Sequence, residues 1–262
     1  MERKTGTREW AEESKNIVKG CKNNCRYCYA RANAIRYGQI HDKGDWPEMK
    51  VNMTAVEKRA HKVPGNGRIM FPTAHDIFPE HIEETLKFLR KWLEADNEIL
   101  IVSKPHLECI KRICDDPQIS KKKDKVVFRF TIGSMDNGVL KFWEPGAPPF
   151  EERLECLKYA HSHGFQTSVS CEPYLDRRIA FLIKAVYPYV NDTIWVGKMN
   201  RIGQRVDTKS WTEEEKKFLH EVEISQTDKA VGRLYIMFQN YPKIHWKDSI
   251  KEVMNLPPEE VG

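Results

Sequence analysis

Apolar positions along this chain follow two alternating patterns. Short runs rich in β-branched and aromatic residues read as buried strands at residues 16–19, 68–71, 98–102, 126–132, 166–170 and 193–197. Between them, apolar residues recur three and four apart. Ile82, Leu86, Leu89 and Leu93 form one such stripe, with Glu83 and Lys87 paired on the opposite surface and Pro79 opening the helix. Further helices are expected at 30–37, 107–114, 150–163 and 177–186, with Gly38, Gly164 and Pro188 as stops. Residues 38–67 read as a surface insertion, 115–125 as an exposed basic connection, and 137–149 as a loop around Glu144-Pro145-Gly146. Six strands alternating with helices imply parallel strands and right-handed crossovers, an α/β fold arranged as a partial (β/α)6 barrel. Functional residues in such folds sit at the carboxyl ends of strands. That rule selects the segment from Cys21 to Cys28 together with His75, Asp76, Lys104, Thr131, Ser134, Cys171, Glu172 and Lys198.

Past Gly203 the pattern changes. Thr212 precedes Glu213-Glu214-Glu215 as a helix cap with an acidic first turn. Residues 234–238 are apolar and ambiguous, and 244–249 lead into a last short helix. The expectation is a barrel over 1–206 and a helical C-terminal extension over 207–262, packed against it. At 262 residues, the chain suits one large domain with such an extension. A polar beginning and no long apolar run imply no signal peptide, no membrane span and a reducing, cytoplasmic setting, where clustered thiols point to metal. The net charge is +5, and residues 1–40, with nine basic and four acidic side chains, account for all of it. Such a basic rim attracts an anionic partner such as nucleic acid, or is a solvated surface that steadies an anionic cluster.

The chemistry concentrates in Cys21-Lys22-Asn23-Asn24-Cys25-Arg26-Tyr27-Cys28-Tyr29. Three thiols at C-x₃-C-x₂-C are soft ligands too closely packed for productive disulfides. They suit three irons of a 4Fe-4S cluster, leaving the fourth iron open to the amino and carboxylate groups of S-adenosylmethionine (SAM). Structural zinc would need a distant fourth ligand, because no other C-x₂-C or C-x₃-C occurs. Inert core cysteines would not sit among Lys22, Asn23, Asn24 and Arg26.

The motif is that of the radical SAM superfamily, and the stretch from about 16 to 175 resembles its spore photoproduct lyase branch. The resemblance rests on Gly20 to Tyr29, Thr73-Ala74-His75-Asp76-Ile77, Val102-Ser103-Lys104, Phe128 to Ile132 and Phe142-Trp143-Glu144-Pro145-Gly146-Ala147-Pro148. It implies cluster ligation by Cys21, Cys25 and Cys28, and Lys104 on the SAM carboxylate. Thr131 or Ser134 would bond the carboxylate or ribose, and Tyr29 would line the adenine or cluster side. It also implies reductive SAM cleavage to a deoxyadenosyl radical that abstracts hydrogen, fed by a reductant such as flavodoxin or ferredoxin. One departure matters. The lyase carries a hydrogen-donating cysteine near its second strand end, and residues 70–76 here contain none. Cys171 is the alternative donor, or else a small buried hydrophobe, as Cys109, Cys114 and Cys156 are expected to be. His75 and Asp76 read as a substrate pair or as a helix-capping aspartate. The implied substrate is a nucleic acid or nucleobase, with Trp143 and Trp195 available for stacking. A peptide or small metabolite, or a non-catalytic iron–sulfur protein, are the rival readings.

Overall fold

A computed structural model describes residues 9–65 and 67–257. Arg3, Lys4 and Arg8 of the basic N-terminal count, residue 66 of the insertion and residues 258–262 of the extension lie outside the described residues. The strands are β1 (Glu13–Ser14), β2 (Val18–Lys19), β3 (Lys50–Val51), β4 (Arg68–Phe71), β5 (Glu98–Ser103), β6 (Val126–Thr131), β7 (Gln166–Cys171), β8 (Ile194–Val196) and β9 (Ile244–Trp246). The helices are α1 (Tyr29–Arg36), α2 (Met53–Glu57), α3 (Ile82–Glu94), α4 (Leu107–Cys114), α5 (Pro117–Ser120), α6 (Asn137–Trp143), α7 (Phe150–Ser162), α8 (Ile179–Val186), α9 (Ile202–Arg205), α10 (Glu213–Ser225), α11 (Asp228–Phe238) and α12 (Asp248–Met254).

One seven-stranded sheet runs in the order β1-β4-β5-β6-β7-β8-β9, and all its pairings are parallel. Side chains alternate faces along each strand. One set, including Phe71, Ile101, Phe128, Phe130, Val169, Cys171 and Val196, joins Leu86, Leu89, Ile110, Ile113 and Leu157 of the helices in a continuous core. The other set, Met70, Val102, Arg129, Thr131 and Ser170, lines a cavity on the opposite face. This is the parallel α/β partial barrel that the alternation implied.

Four segments differ from expectation. The first barrel strand is β1, not 16–19; it is a polar two-residue edge strand that pairs Glu13 with Ile69. Val18 and Lys19 instead pair antiparallel with β3 inside the insertion. The extension is not purely helical, because β9 adds a seventh strand beside β8. Residues 234–238 end α11. Residues 137–149 contain α6, because the Asp136 carboxylate accepts the Gly138 and Val139 N–H groups as an N-cap. Asp116 and Pro117 start α5 in the same way within the supposed connection.

The edge strands β1 and β9 do not pair with each other. Side chains span that seam instead. Lys247, just after β9, donates to the Glu9 carboxylate just before β1. Its ammonium lies 4.2 Å from the Trp10 ring, whose centroid is 4.0 Å from the Arg129 guanidinium.

Candidate active site

The cysteine loop joins β2 to α1 and is strapped on two sides. Gly20 has φ +89°, and a Cβ there would collide with the carbonyls of Trp46 and Glu48. The Cys21 N–H donates to Trp46 O at 2.8 Å. On the other side, Gly146 lies so close that a Cβ would strike the Lys22 carbonyl. Its N–H donates to Asn23 O at 3.1 Å, and Arg26 N–H to Trp143 O at 2.8 Å. Cys28 caps α1, its Sγ accepting the Arg31 N–H at 3.4 Å. Cys21 and Cys25 are buried, whereas Cys28 is half-buried. Burial pushes the Cys21 thiol up to about 12, with Asp76 adding to it, and raises Cys25 well above the usual thiol range.

A buried charge network backs the loop. Glu144 is fully buried and lies 2.6 Å from the equally buried Arg153, while the Tyr27 hydroxyl donates to its other oxygen. Arg153 also donates to Pro148 O at 2.7 Å and Thr131 O at 3.2 Å. Asp76 accepts from Asn23 Nδ2 at 2.6 Å, Ser103 Oγ at 3.0 Å and Lys104 N at 2.7 Å. Lys104 Nζ stands 4.0 Å from both Asp76 and Glu144. Burial pulls the Lys104 ammonium down, but Cys25, Tyr27 and the two carboxylates outweigh it and hold it well above the usual lysine value. Burial opposes ionisation of Asp76, yet Lys104 and three donors keep its carboxyl below the usual range. His75 donates through Nδ1 to Asp76 O at 2.9 Å, and Nε2 accepts from Ile17 N and Val18 N at 3.3 Å. That pattern fixes the neutral ring, and burial lowers its pKa to about 4.

All three cysteines open on one cavity of about 640 Å³, which Tyr29, Lys104 and Thr131 also line. Tyr29 donates its hydroxyl to Thr73 O. The rest of the lining includes Trp10, Arg129, Glu172, Lys198 and Lys247, and Arg205 stands near Cys28 and Tyr29. Arg129 donates to Ser168 Oγ at 2.9 Å and Thr193 Oγ1 at 3.4 Å, and its Nη1 has no partner; burial lowers its pKa to about 9. Glu172 lies 3.9 Å from Lys247, and burial raises its carboxyl pKa.

A family model described as the radical SAM superfamily matches residues 15–175. The chain belongs to the radical SAM superfamily. It is 26% identical over 179 residues to the uncharacterized protein MJ0683 of Methanocaldococcus jannaschii, covering 66% of this chain and 64% of that one. It is also 26% identical over 168 residues to the uncharacterized protein ORF301 of Acidianus two-tailed virus, covering 60% and 54%. The matches thus span less than two thirds of either relative. Spore photoproduct lyase complexed with dinucleoside spore photoproduct shares the fold, with a TM-score of 0.52, 17% identity, and coverage of 90% of this chain and 77% of that one. Streptococcus suis SuiB bound to SAM does so as well, with a TM-score of 0.53, 9% identity, and coverage of 90% and 49%.

The radical SAM family implies a 4Fe-4S cluster and SAM, and the donor set fits them. Three soft thiols face one cavity. Among the described residues, no three His, Cys, Asp or Glu side chains converge as they would around a single ion. Two expected site residues are not brought there. Ser134 is buried, donates to Asp176 and accepts from Asp136 N at 2.8 Å, outside the cavity lining. Cys171 packs in the helix-facing core while its neighbours Ser170 and Glu172 line the cavity. Strand alternation turns the Cys171 thiol away from the cavity, so the structure does not support it as a hydrogen donor. His75 and Asp76 both line the cavity, but their hydrogen bonds hold the loop and Lys104. Trp143 is fully buried and packs on Phe142 and Trp211 rather than standing free for a base. Trp195 packs edge-on against Trp10 at 4.4 Å. Sequence reasoning missed the Glu144–Arg153 pair and the Trp10, Arg129 and Lys247 contacts. The one signal for the latter was an arginine inside the apolar run Val126–Thr131.

Proposed function

We propose that this chain is a radical SAM enzyme whose substrate is a nucleic acid or nucleobase. The observation that carries the reading is one cavity lined by three thiols and Lys104 and also by the cations Arg129, Lys198 and Lys247, with Arg205 beside Cys28. Cys21, Cys25 and Cys28 would hold the cluster, and Lys104 the SAM carboxylate as a point charge. When bound, these groups supply one-electron cleavage of the sulfonium and hydrogen-atom abstraction. The chain's own part is to orient and shield. Asp76 and Glu144 keep Lys104 charged and fixed. Tyr29, held by Thr73, and Thr131 both line the cavity. The cationic lining favours an anionic substrate, and the size suits a nucleoside beside SAM.

The test is anaerobic reconstitution with iron and sulfide, then dithionite and SAM with oligonucleotides, nucleosides or peptides. Deoxyadenosine formation stimulated by an oligonucleotide or nucleoside is the expected result. Stimulation by peptides alone would move the substrate assignment, and no deoxyadenosine with any substrate would favour a non-catalytic iron–sulfur protein.

A further inference from the structure

A second concavity of about 480 Å³ adjoins the first. Cys28 and Arg205 line both, so the two meet at the half-buried edge of the cysteine loop. Its charged walls are Arg31 from α1, Lys43 from the insertion, and Arg205, Asp207 and Lys209 from α9 and the turn beyond it. The only carboxylate in that lining, Asp207, lies 3.0 Å from Lys43 and is neutralised by it. Arg31 is held by Asn24 and the Arg26 carbonyl. Among the described residues, the Arg205 guanidinium and the Lys209 ammonium form no ion pair or hydrogen bond.

A concave wall with several cations and one already-paired acid repels itself unless an anion enters. A guanidinium presents a planar fork that matches two phosphate oxygens. Arg205 borders both cavities, so a ligand it binds in the second continues naturally into the first. A nucleotide within a strand has that shape, with its base and sugar on one side and a flanking phosphate on the other. Phosphate contacts of this kind set register while the base is handled elsewhere. Building on the nucleic-acid reading above, we propose that the second cavity holds a backbone phosphate flanking the nucleotide in the main cavity, with Arg205, Arg31 and Lys209 as its contacts. The same charges would also attract an acidic electron-transfer protein. Concavity and continuity with the main cavity favour the phosphate, because a protein docks on a face.

The test is fluorescence anisotropy of a labelled oligothymidylate on the cluster-loaded, SAM-bound protein, across a range of salt. Arg205→Gln and Lys209→Gln are compared with wild type and with Lys121→Gln, a distant exposed control, after circular dichroism shows each is folded. Each cavity variant is expected to weaken binding several-fold and to lower the slope of log affinity against log salt by about one, with the control unchanged. Unchanged affinity and slope in both variants overturn the phosphate site while leaving the nucleic-acid reading intact. Failure of the wild type to bind any oligonucleotide overturns both. Variants that keep oligonucleotide binding but lose binding to reduced flavodoxin overturn it in favour of a reductant dock.

Discussion

Lys104 and Lys247 both line the main cavity, and they are held in opposite ways. Lys104 follows a central strand and sits between Asp76 and Glu144, carboxylates that are themselves fixed by Ser103, Asn23, Tyr27 and Arg153. Lys247 follows the edge strand β9; Glu9 and Trp10 reach it across the unpaired seam, and Glu172 stands 3.9 Å away. The cysteine-loop end is therefore held by many neighbours within one buried network of paired charges and hydrogen bonds. The wall around Lys247 is held by side chains from distant parts of the chain. In such a fold the cysteine-loop end can stay rigid, while the wall around Lys247 changes at little cost.

The sharpest contrast is in stability. Glu144→Ala leaves Arg153 as an uncompensated buried charge and should cost about 3–5 kcal/mol in urea unfolding. Glu9→Ala at the seam should cost about 1 kcal/mol or less. Equal losses would erase the distinction drawn here. Next comes cofactor affinity. Lys104→Met should weaken SAM binding to the cluster-loaded protein by about ten- to a hundredfold in equilibrium dialysis, whereas Lys247→Met should change it by about twofold or less. Third is acid sensitivity. His75 is neutral when folded, with a pKa of about 4 against an ordinary 6.5. The unfolded chain takes up that proton first, so stability falls as pH drops from 6.5 toward 4, by about 2 kcal/mol at pH 5. Urea midpoints across pH should show this loss in the wild type, and His75→Gln should remove the His75 share of it, leaving a shallower dependence from His106, whose pKa burial also lowers. The smallest effect belongs to Cys171→Ala: about 1 kcal/mol of stability from lost core packing, with product formation unchanged. A variant that consumed SAM but no longer completed product would restore the thiol as a hydrogen donor.

Much of the fold was legible because its strands and helices differ sharply in period. The apolar run at 126–132 and the stripe Ile82, Leu86, Leu89 and Leu93 mark β6 and α3 with little ambiguity. β1 was missed because Glu13 and Ser14 are polar and its pairing partner lies more than fifty residues away. β9 was missed because Ile244, His245 and Trp246 form a run too short to separate from the helix that follows. At the site, the three cysteines and Lys104 were readable from local spacing and strand ends. Ser134 and Cys171 were drawn in because a strand end says where a residue lies along the barrel, not which face it takes. Parity supplies that missing information: Ser168, Ser170 and Glu172 alternate with Thr167, Val169 and Cys171. The Glu144–Arg153 pair was hidden because a charged residue in a helix or loop reads as solvated until tertiary packing buries it.

The central claim is that the three-thiol loop binds a cluster with one iron free for SAM. It is tested most directly by electron paramagnetic resonance of the anaerobically reconstituted, reduced protein before and after SAM is added. The account predicts a reduced 4Fe-4S signal whose shape shifts on SAM addition and is absent when Cys25 is replaced by serine. A zinc-filled site, or a cluster signal indifferent to SAM, would contradict it.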